Sequence, residues 1–242
     1  MITKDEVLSA SPQTNTESNK NETNNNLQAE GNDVKLQLTG NECQFNRPGV
    51  SDETLRKAGI HRVTADEAFE LCGLHKSGIW IPYSDINGKP VMVNGKPYGR
   101  LRLDEPTDNC KYSQATNSGS HAYLPFPFTK EFKQGIDLFI TEGCFKCLSL
   151  VETTEYKAVA LPGLYGYAHG ELLPELKAAL DFLKPSRVLF IGDSDTCLNY
   201  RFSIAAVKLA ELIKPIPLLL PRLPLNGPKG IDDLKESINH EI

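Results

Sequence analysis

Arg187-Val188-Leu189-Phe190-Ile191-Gly192-Asp193-Ser194-Asp195 is an apolar run of strand length that empties into a glycine and two aspartates. Similar apolar runs stand on both sides of it, at Ile136–Ile140, Ala158–Leu161 and Ile216–Leu220. Helical periodicity fills the gaps. Cys144, Cys147, Leu148 and Val151 follow the i, i+3, i+4, i+7 spacing of a buried helix face, as do Leu172, Leu176, Ala179, Leu180 and Leu183, and then Phe202, Ala205, Leu209 and Leu212. Strands alternating with helices of this length make βαβ units, so residues 135–236 are expected to form an α/β domain with a central, mostly parallel sheet flanked by helices.

Ligands of an open parallel sheet bind outside the carboxyl ends of its strands. The acids fall there. Glu142 follows the first run, in Thr141-Glu142-Gly143; Asp193 and Asp195 follow the third; Asp232 and Asp233 follow the last, across the loop Asn226-Gly227-Pro228-Lys229-Gly230. Three strand ends thereby bring carboxylates to one edge. Such a group repels itself without a cation, and oxygen ligands of this kind suit Mg²⁺ (or Mn²⁺), which is usually held by one or two carboxylates together with substrate phosphates. The neighbouring glycines Gly143, Gly192 and Gly230 leave room for a phosphate against the backbone. For any single acid a plainer reading stays open, because Glu142 and Asp195 also sit where a helix N-terminus favours negative charge.

Upstream the texture differs. Residues 1–33 are rich in Asn, Thr, Ser, Glu and Gln and are expected to be a disordered tail. Residues 45–130 are expected to form a small α+β lobe. Ser51-Asp52-Glu53 starts a helix, and Thr64 with Glu67 makes a capping box ahead of a second. Short strands follow at Ile79–Tyr83, Val91–Val93 and Tyr98–Leu103, separated by the turns Asn87-Gly88 and Asn94-Gly95. The segment 104–128 is loop-rich, with Phe126 and Phe128 expected to pack onto the next domain.

The bulk composition excludes some classes. Over 242 residues, 40% hydrophobic and 24% charged content is that of a globular domain. No apolar run reaches the roughly 20 residues that cross a bilayer, and no basic-then-apolar leader opens the chain; a cytoplasmic protein with no membrane partner is expected. The six cysteines do not form a disulfide framework, and Cys144-x-x-Cys147 lacks a second pair for zinc, so both are read as core residues of a helix. A net charge of -5 does not favour nucleic-acid binding by the whole surface, although a local basic strip beside an acidic site is compatible with it.

Taken in order, Thr141-Glu142-Gly143, Gly192-Asp193-Ser194-Asp195 and Gly230-Ile231-Asp232-Asp233 resemble the Glu-Gly, Asp-x-Asp and late acidic pattern of toprim domains, which occur in bacterial primases, topoisomerases and certain nucleases. Lys146, three residues after Gly143, and Lys229–Asp233 are similar to the toprim-like domain, a domain of unknown function, of plasmid and phage replication proteins. In the upstream lobe, Ile81-Pro82-Tyr83-Ser84-Asp85, Gly99-Arg100-Leu101-Arg102 and Lys111-Tyr112-Ser113 resemble the lobe that precedes the toprim domain of bacterial primases. The match departs at Ser194, where primases carry glycine, and at Cys197-Leu198-Asn199.

The resemblance implies a Mg²⁺-dependent, primase-type nucleotidyltransferase or replication-initiation protein of a mobile element. Glu142 would act near the reacting phosphate as base or metal ligand, with Lys146 on the following helix. Asp193 and Asp195, joined by Asp232 and Asp233, would hold the metal. Arg100, Arg102 and Lys111 would meet phosphates and Tyr112 would stack on a base; Arg100 and Arg102 share one strand face, for which a solvated surface is the plainer alternative. The implied partners are single-stranded DNA or primer–template, nucleotides and a replicative helicase. Two other functions stay open: a non-catalytic module that recruits a helicase or primase, and a toprim nuclease with the same metal ligands.

Overall fold

The computed structural model describes residues 47, 49–107, 110–128, 135–154 and 156–233, all within one compact unit; the tail expected at residues 1–33 lies outside them. The elements run α1 (Asp52–Lys57), β1 (His61–Val63), α2 (Ala65–Cys72), β2 (Gly78–Pro82), β3 (Met92–Val93), β4 (Lys96–Pro97), β5 (Gly99–Thr107), β6 (Cys110–Ser113), β7 (Asp137–Glu142), α3 (Cys144–Thr153), β8 (Lys157–Leu161), β9 (Tyr167–Ala168), β10 (Glu171–Leu172), α4 (Pro174–Leu183), β11 (Arg187–Ile191), a 3₁₀ turn (Ser194–Leu198), α5 (Tyr200–Leu212) and β12 (Leu218–Leu219). This is the α/β architecture expected from the alternating runs.

Two four-stranded sheets organise the chain, one ordered β1-β2-β5-β6 and antiparallel, the other ordered β12-β11-β7-β8 and wholly parallel. Strand β7 alternates across the second sheet. Leu138 and Ile140 join Val159, Leu161, Val188 and Phe190 against Leu176, Ala179 and Leu180 of α4 and Phe202 and Leu209 of α5. Phe139 faces the other way, with Ala158, Ala160 and Ile191, and packs with Phe145, Cys147 and Leu148 of α3 and with Ile79, Ile81, Tyr83 and Tyr98 of the first sheet. The parallel sheet is therefore covered on both faces, which is why its strands read as continuous apolar runs. Cys144 and Cys147 are buried and unbridged, as expected. Phe128 also joins the parallel-sheet core.

Local signals act as chemistry dictates. The Ser51 hydroxyl accepts from the Thr54 N–H at the start of α1, and both halves of the Thr64–Glu67 capping box are made at α2. Asn94 and Gly95 both adopt positive φ and close the β3–β4 ribbon. The three strands expected around the two Asn-Gly turns pair differently from their order in the chain: β2 pairs directly with β5, and the chain between them leaves the sheet as the separate β3–β4 ribbon. The loop-rich segment 104–128 also yields the end of β5 and β6. The free edge of β8 is closed by Tyr123, whose N–H and carbonyl pair with Ala160. Among the described residues, no helix is long and apolar enough to cross a membrane.

Candidate functional site

The order β12-β11-β7-β8 places the reversal of the winding between β7 and β11, since the chain leaves β7 towards β8 on one side and later fills β11 and β12 on the other. A crevice opens at such a point outside the carboxyl ends. Register puts the acids beside it. Ile191 lies opposite Thr141, so Glu142, the last residue of β7, stands level with Gly192, and Asp193 comes one residue beyond. Gly143 caps α3 with φ 90° and ψ 144°, a conformation open to glycine and strained for any side chain, and it turns the chain from strand to helix directly behind Glu142. The third acidic group, Asp232 with Asp233, is brought in by the turn 229–233: the Ser194 N–H donates to the Lys229 carbonyl at 2.8 Å, and the Gly230 N–H donates to Asp233 Oδ2 at 3.0 Å.

The aspartates arrive already matched with cations. Lys146, in the first turn of α3, donates from Nζ to Asp193 Oδ1 with both side chains about four-fifths buried. Lys229 Nζ stands 3.7 Å from Asp195 Oδ2 in an exposed pair. Asp232, 1% exposed, accepts from Arg47 Nη2 at 2.5 Å, and its Oδ1 is buried without a hydrogen-bond partner. Glu142 is half-buried and forms no ion pair among the described residues. Burial first, opposed by the Lys146 charge, and then the charges of Asp193 and Asp195 hold its carboxyl above the ordinary range.

The carboxylates thus do not converge as a closed cage: among the described residues, no group of three Asp, Glu, His or Cys side chains is placed to hold an ion by itself. Mg²⁺ does not need one, because it keeps waters and takes one or two carboxylates plus phosphate oxygens. The donor set is all oxygen, Glu142 feels the negative charge of its neighbours, and Asp232 Oδ1 lacks a partner, so the residues present fit a hard cation.

The basic residues of the first sheet divide. Arg100 and Arg102 share a face of β5, and Tyr112 stands opposite Arg102 on β6. The Arg100 guanidinium lies over the Tyr112 ring at 5.1 Å, and that of Arg102 lies 5.6 Å from the Phe145 ring of α3. These three side chains therefore face the helix that begins at Gly143. Lys111 is exposed and alternates to the opposite face of β6. Burial pushes the Tyr112 phenol up to about 12, and its ring is already covered by Arg100.

Sequence reading missed Arg47, which pairs with Asp232 and reaches the other side of Phe145, 5.4 Å from the ring centroid. No local pattern announces it, because its partner lies 185 residues away. It also missed His121, whose Nδ1 meets Glu175 Oε1 at 2.8 Å while Glu175 Oε2 accepts from the Ala122 N–H at 3.0 Å.

No protein-family model and no curated protein matches this sequence. Solved structures do match its fold. The catalytic core of DnaG superposes with a TM-score of 0.53 at 16% identity, over 78% of this chain and 66% of that one. A DnaG primase catalytic domain bound to single-stranded DNA gives 0.54 at 16% identity, over 79% and 67%. The Aquifex aeolicus primase, with its zinc-binding and RNA polymerase domains, gives 0.51 at 15% identity, over 79% and 52%. The chain thus spans between half and two thirds of the length of these proteins, and what it shares with them is the fold of a bacterial primase catalytic core.

Proposed function

We propose that the chain is a primase-type replication protein of a mobile element that carries out Mg²⁺-dependent nucleotidyl transfer on single-stranded DNA or a primer–template. One observation carries this reading: Glu142 and the Asp193-Ser194-Asp195 loop flank the crevice at the switch point of the parallel sheet. Glu142, Asp193 and Asp195 would hold the metal, with Asp232 and Asp233 behind them in the turn 229–233. Bound there, Mg²⁺ supplies Lewis-acid polarisation of a phosphoryl oxygen.

The chain's own groups supply the rest. Glu142, half-buried at the end of β7, would present its carboxylate to that cation beside the reacting phosphate. Arg100 and Arg102 present guanidinium groups on the sheet face that looks onto α3, where a phosphate backbone would be positioned. Tyr112 serves as a platform for Arg100 ahead of any base. Lys111 would add charge from the opposite face. The DnaG domain bound to single-stranded DNA has this fold, which supports the substrate class, and a replicative helicase is a natural partner for such a protein.

A second reading is a non-catalytic replication module that recruits a helicase or primase. The pairing of Asp193, Asp195 and Asp232 with Lys146, Lys229 and Arg47 favours it, since acids so compensated serve structure without a metal. A nuclease would share the metal ligands and differ in product. Primer synthesis with labelled nucleotides, single-stranded DNA and Mg²⁺ or Mn²⁺ tests all three. Labelled oligomers lost in Asp193→Ala are expected. Cleaved template would indicate the nuclease, and intact template with no product would overturn the catalytic reading.

A further inference from the structure

Five carboxylates gather at the carboxyl edge, from Glu142, Asp193, Asp195, Asp232 and Asp233, and three basic side chains, Lys146, Lys229 and Arg47, pair with three of them. The three pairs are not equivalent. Arg47–Asp232 closes over a carboxylate that is 1% exposed, and Lys229–Asp195 is loose and solvated. Lys146–Asp193 lies between these extremes, with side chains 19% and 23% exposed, reachable by water and ions yet sheltered enough to persist.

The Lys146 stem runs through a gap that a missing side chain keeps open. A Cβ on Gly230 would stand 2.8 Å from Lys146 Cε and 2.5 Å from Asp232 Oδ1, so both groups reach that spot only because residue 230 is glycine. Asp232 Oδ1 has no hydrogen-bond partner and is turned into this same space. A compact, strongly hydrated ammonium on a four-carbon stem can leave a carboxylate and return to it, unlike the rigid fork of an arginine.

We propose that Lys146 is an exchangeable counter-ion: its ammonium group holds Asp193 while no divalent cation is present, and a divalent cation binding at Asp193 and Glu142 displaces it. This rests on the metal-binding reading of those two acids. Lys146 thereby sets the metal affinity. The fold stays charge-compensated without metal, and every binding event must first break the Lys146–Asp193 pair.

Mn²⁺ binding to the full chain, followed by the electron-paramagnetic-resonance signal of free Mn²⁺, tests this directly. Lys146→Met keeps the stem and removes the charge, and it is expected to bind Mn²⁺ at least about tenfold more tightly than wild type. Lys146→Arg, charged and less able to swing away, is expected to bind no more tightly than wild type. Lys146→Gln replaces Met should that variant fail to unfold cooperatively. Dissociation constants for Lys146→Met within twofold of wild type, or weaker, would overturn the counter-ion role and leave the metal site standing. Asp193→Asn should abolish binding in either background. Absence of Mn²⁺ binding in wild type and Lys146→Met alike would overturn the metal reading itself, and the proposal with it.

Discussion

Arg47→Ala removes the cation from the most buried carboxylate at the sheet edge, and its cost follows from what is left behind. Asp232 is 1% exposed, and its Oδ1 already lacks a hydrogen bond, so loss of Arg47 Nη2 strands an ionised group with no partner for either oxygen among the described residues. Breaking a buried pair from one side costs about 3–5 kcal/mol. Arg47 is 27% exposed, and water can enter where it stood, which argues for about 3 kcal/mol. Loss of the guanidinium over Phe145 adds roughly 0.5–1 kcal/mol. For a chain of this size the first term alone corresponds to a fall in Tm of about 6–12 °C. Asp232→Asn should cost less, because it strands no carboxylate and leaves Arg47 able to reach solvent. The double variant is then expected to recover roughly 1–2 kcal/mol of the summed single losses. Urea unfolding of the four proteins measures this coupling. If Arg47→Ala lies within about 1 kcal/mol of wild type, or if the two losses simply add, the pair is not the clamp described here.

Glu142→Gln is expected to raise the urea midpoint at pH 7 in metal-free buffer. The folded carboxyl is held above its ordinary value of 4.5, so its contribution to stability is fully present below that value and lost as pH rises through the raised one. The gain should vanish near pH 4, and an equal gain at pH 4 and 7 would sink the explanation. His121 behaves likewise from the basic side. The hydrogen bond to Glu175, against the opposing effect of burial, raises its pKa above 6.5, so the imidazolium stabilises the fold fully below pH 6.5 and loses that effect as pH rises through the folded value. His121→Ala should therefore cost about 1.5 kcal/mol at pH 6 beyond any cost at pH 9, and a pH-independent loss would show that packing against Tyr98, not charge, is what counts.

The parallel sheet was legible in the chain because its strands are buried on both faces and its helices repeat at the α-helical period. Arg187–Ile191 emerged with the expected bounds, and α3, α4 and α5 carry the apolar positions read from spacing except Leu172, which falls in β10 because Pro174 starts the helix two residues later. Capping groups and Asn94-Gly95 were legible for a similar reason, since each acts within a few residues of itself. The β2–β5 pairing was harder to read, because the excursion between the strands imitates a meander until partners are known. Short segments such as β1 and β6 carry too few residues for a period to stand out.

For the candidate site, sequence alone determined which acids follow which strands, and therefore that Glu142, Asp193 and Asp195 share one edge. It could not determine charge partners. Lys146–Asp193, Arg47–Asp232 and His121–Glu175 join positions 47, 185 and 54 residues apart, and such pairs exist only once the backbone is in place. Strand ends and helix starts are set by short-range periodicity and steric preference, which a sequence displays. The balance of charge at the crevice depends on distance and burial, which the tertiary structure alone decides.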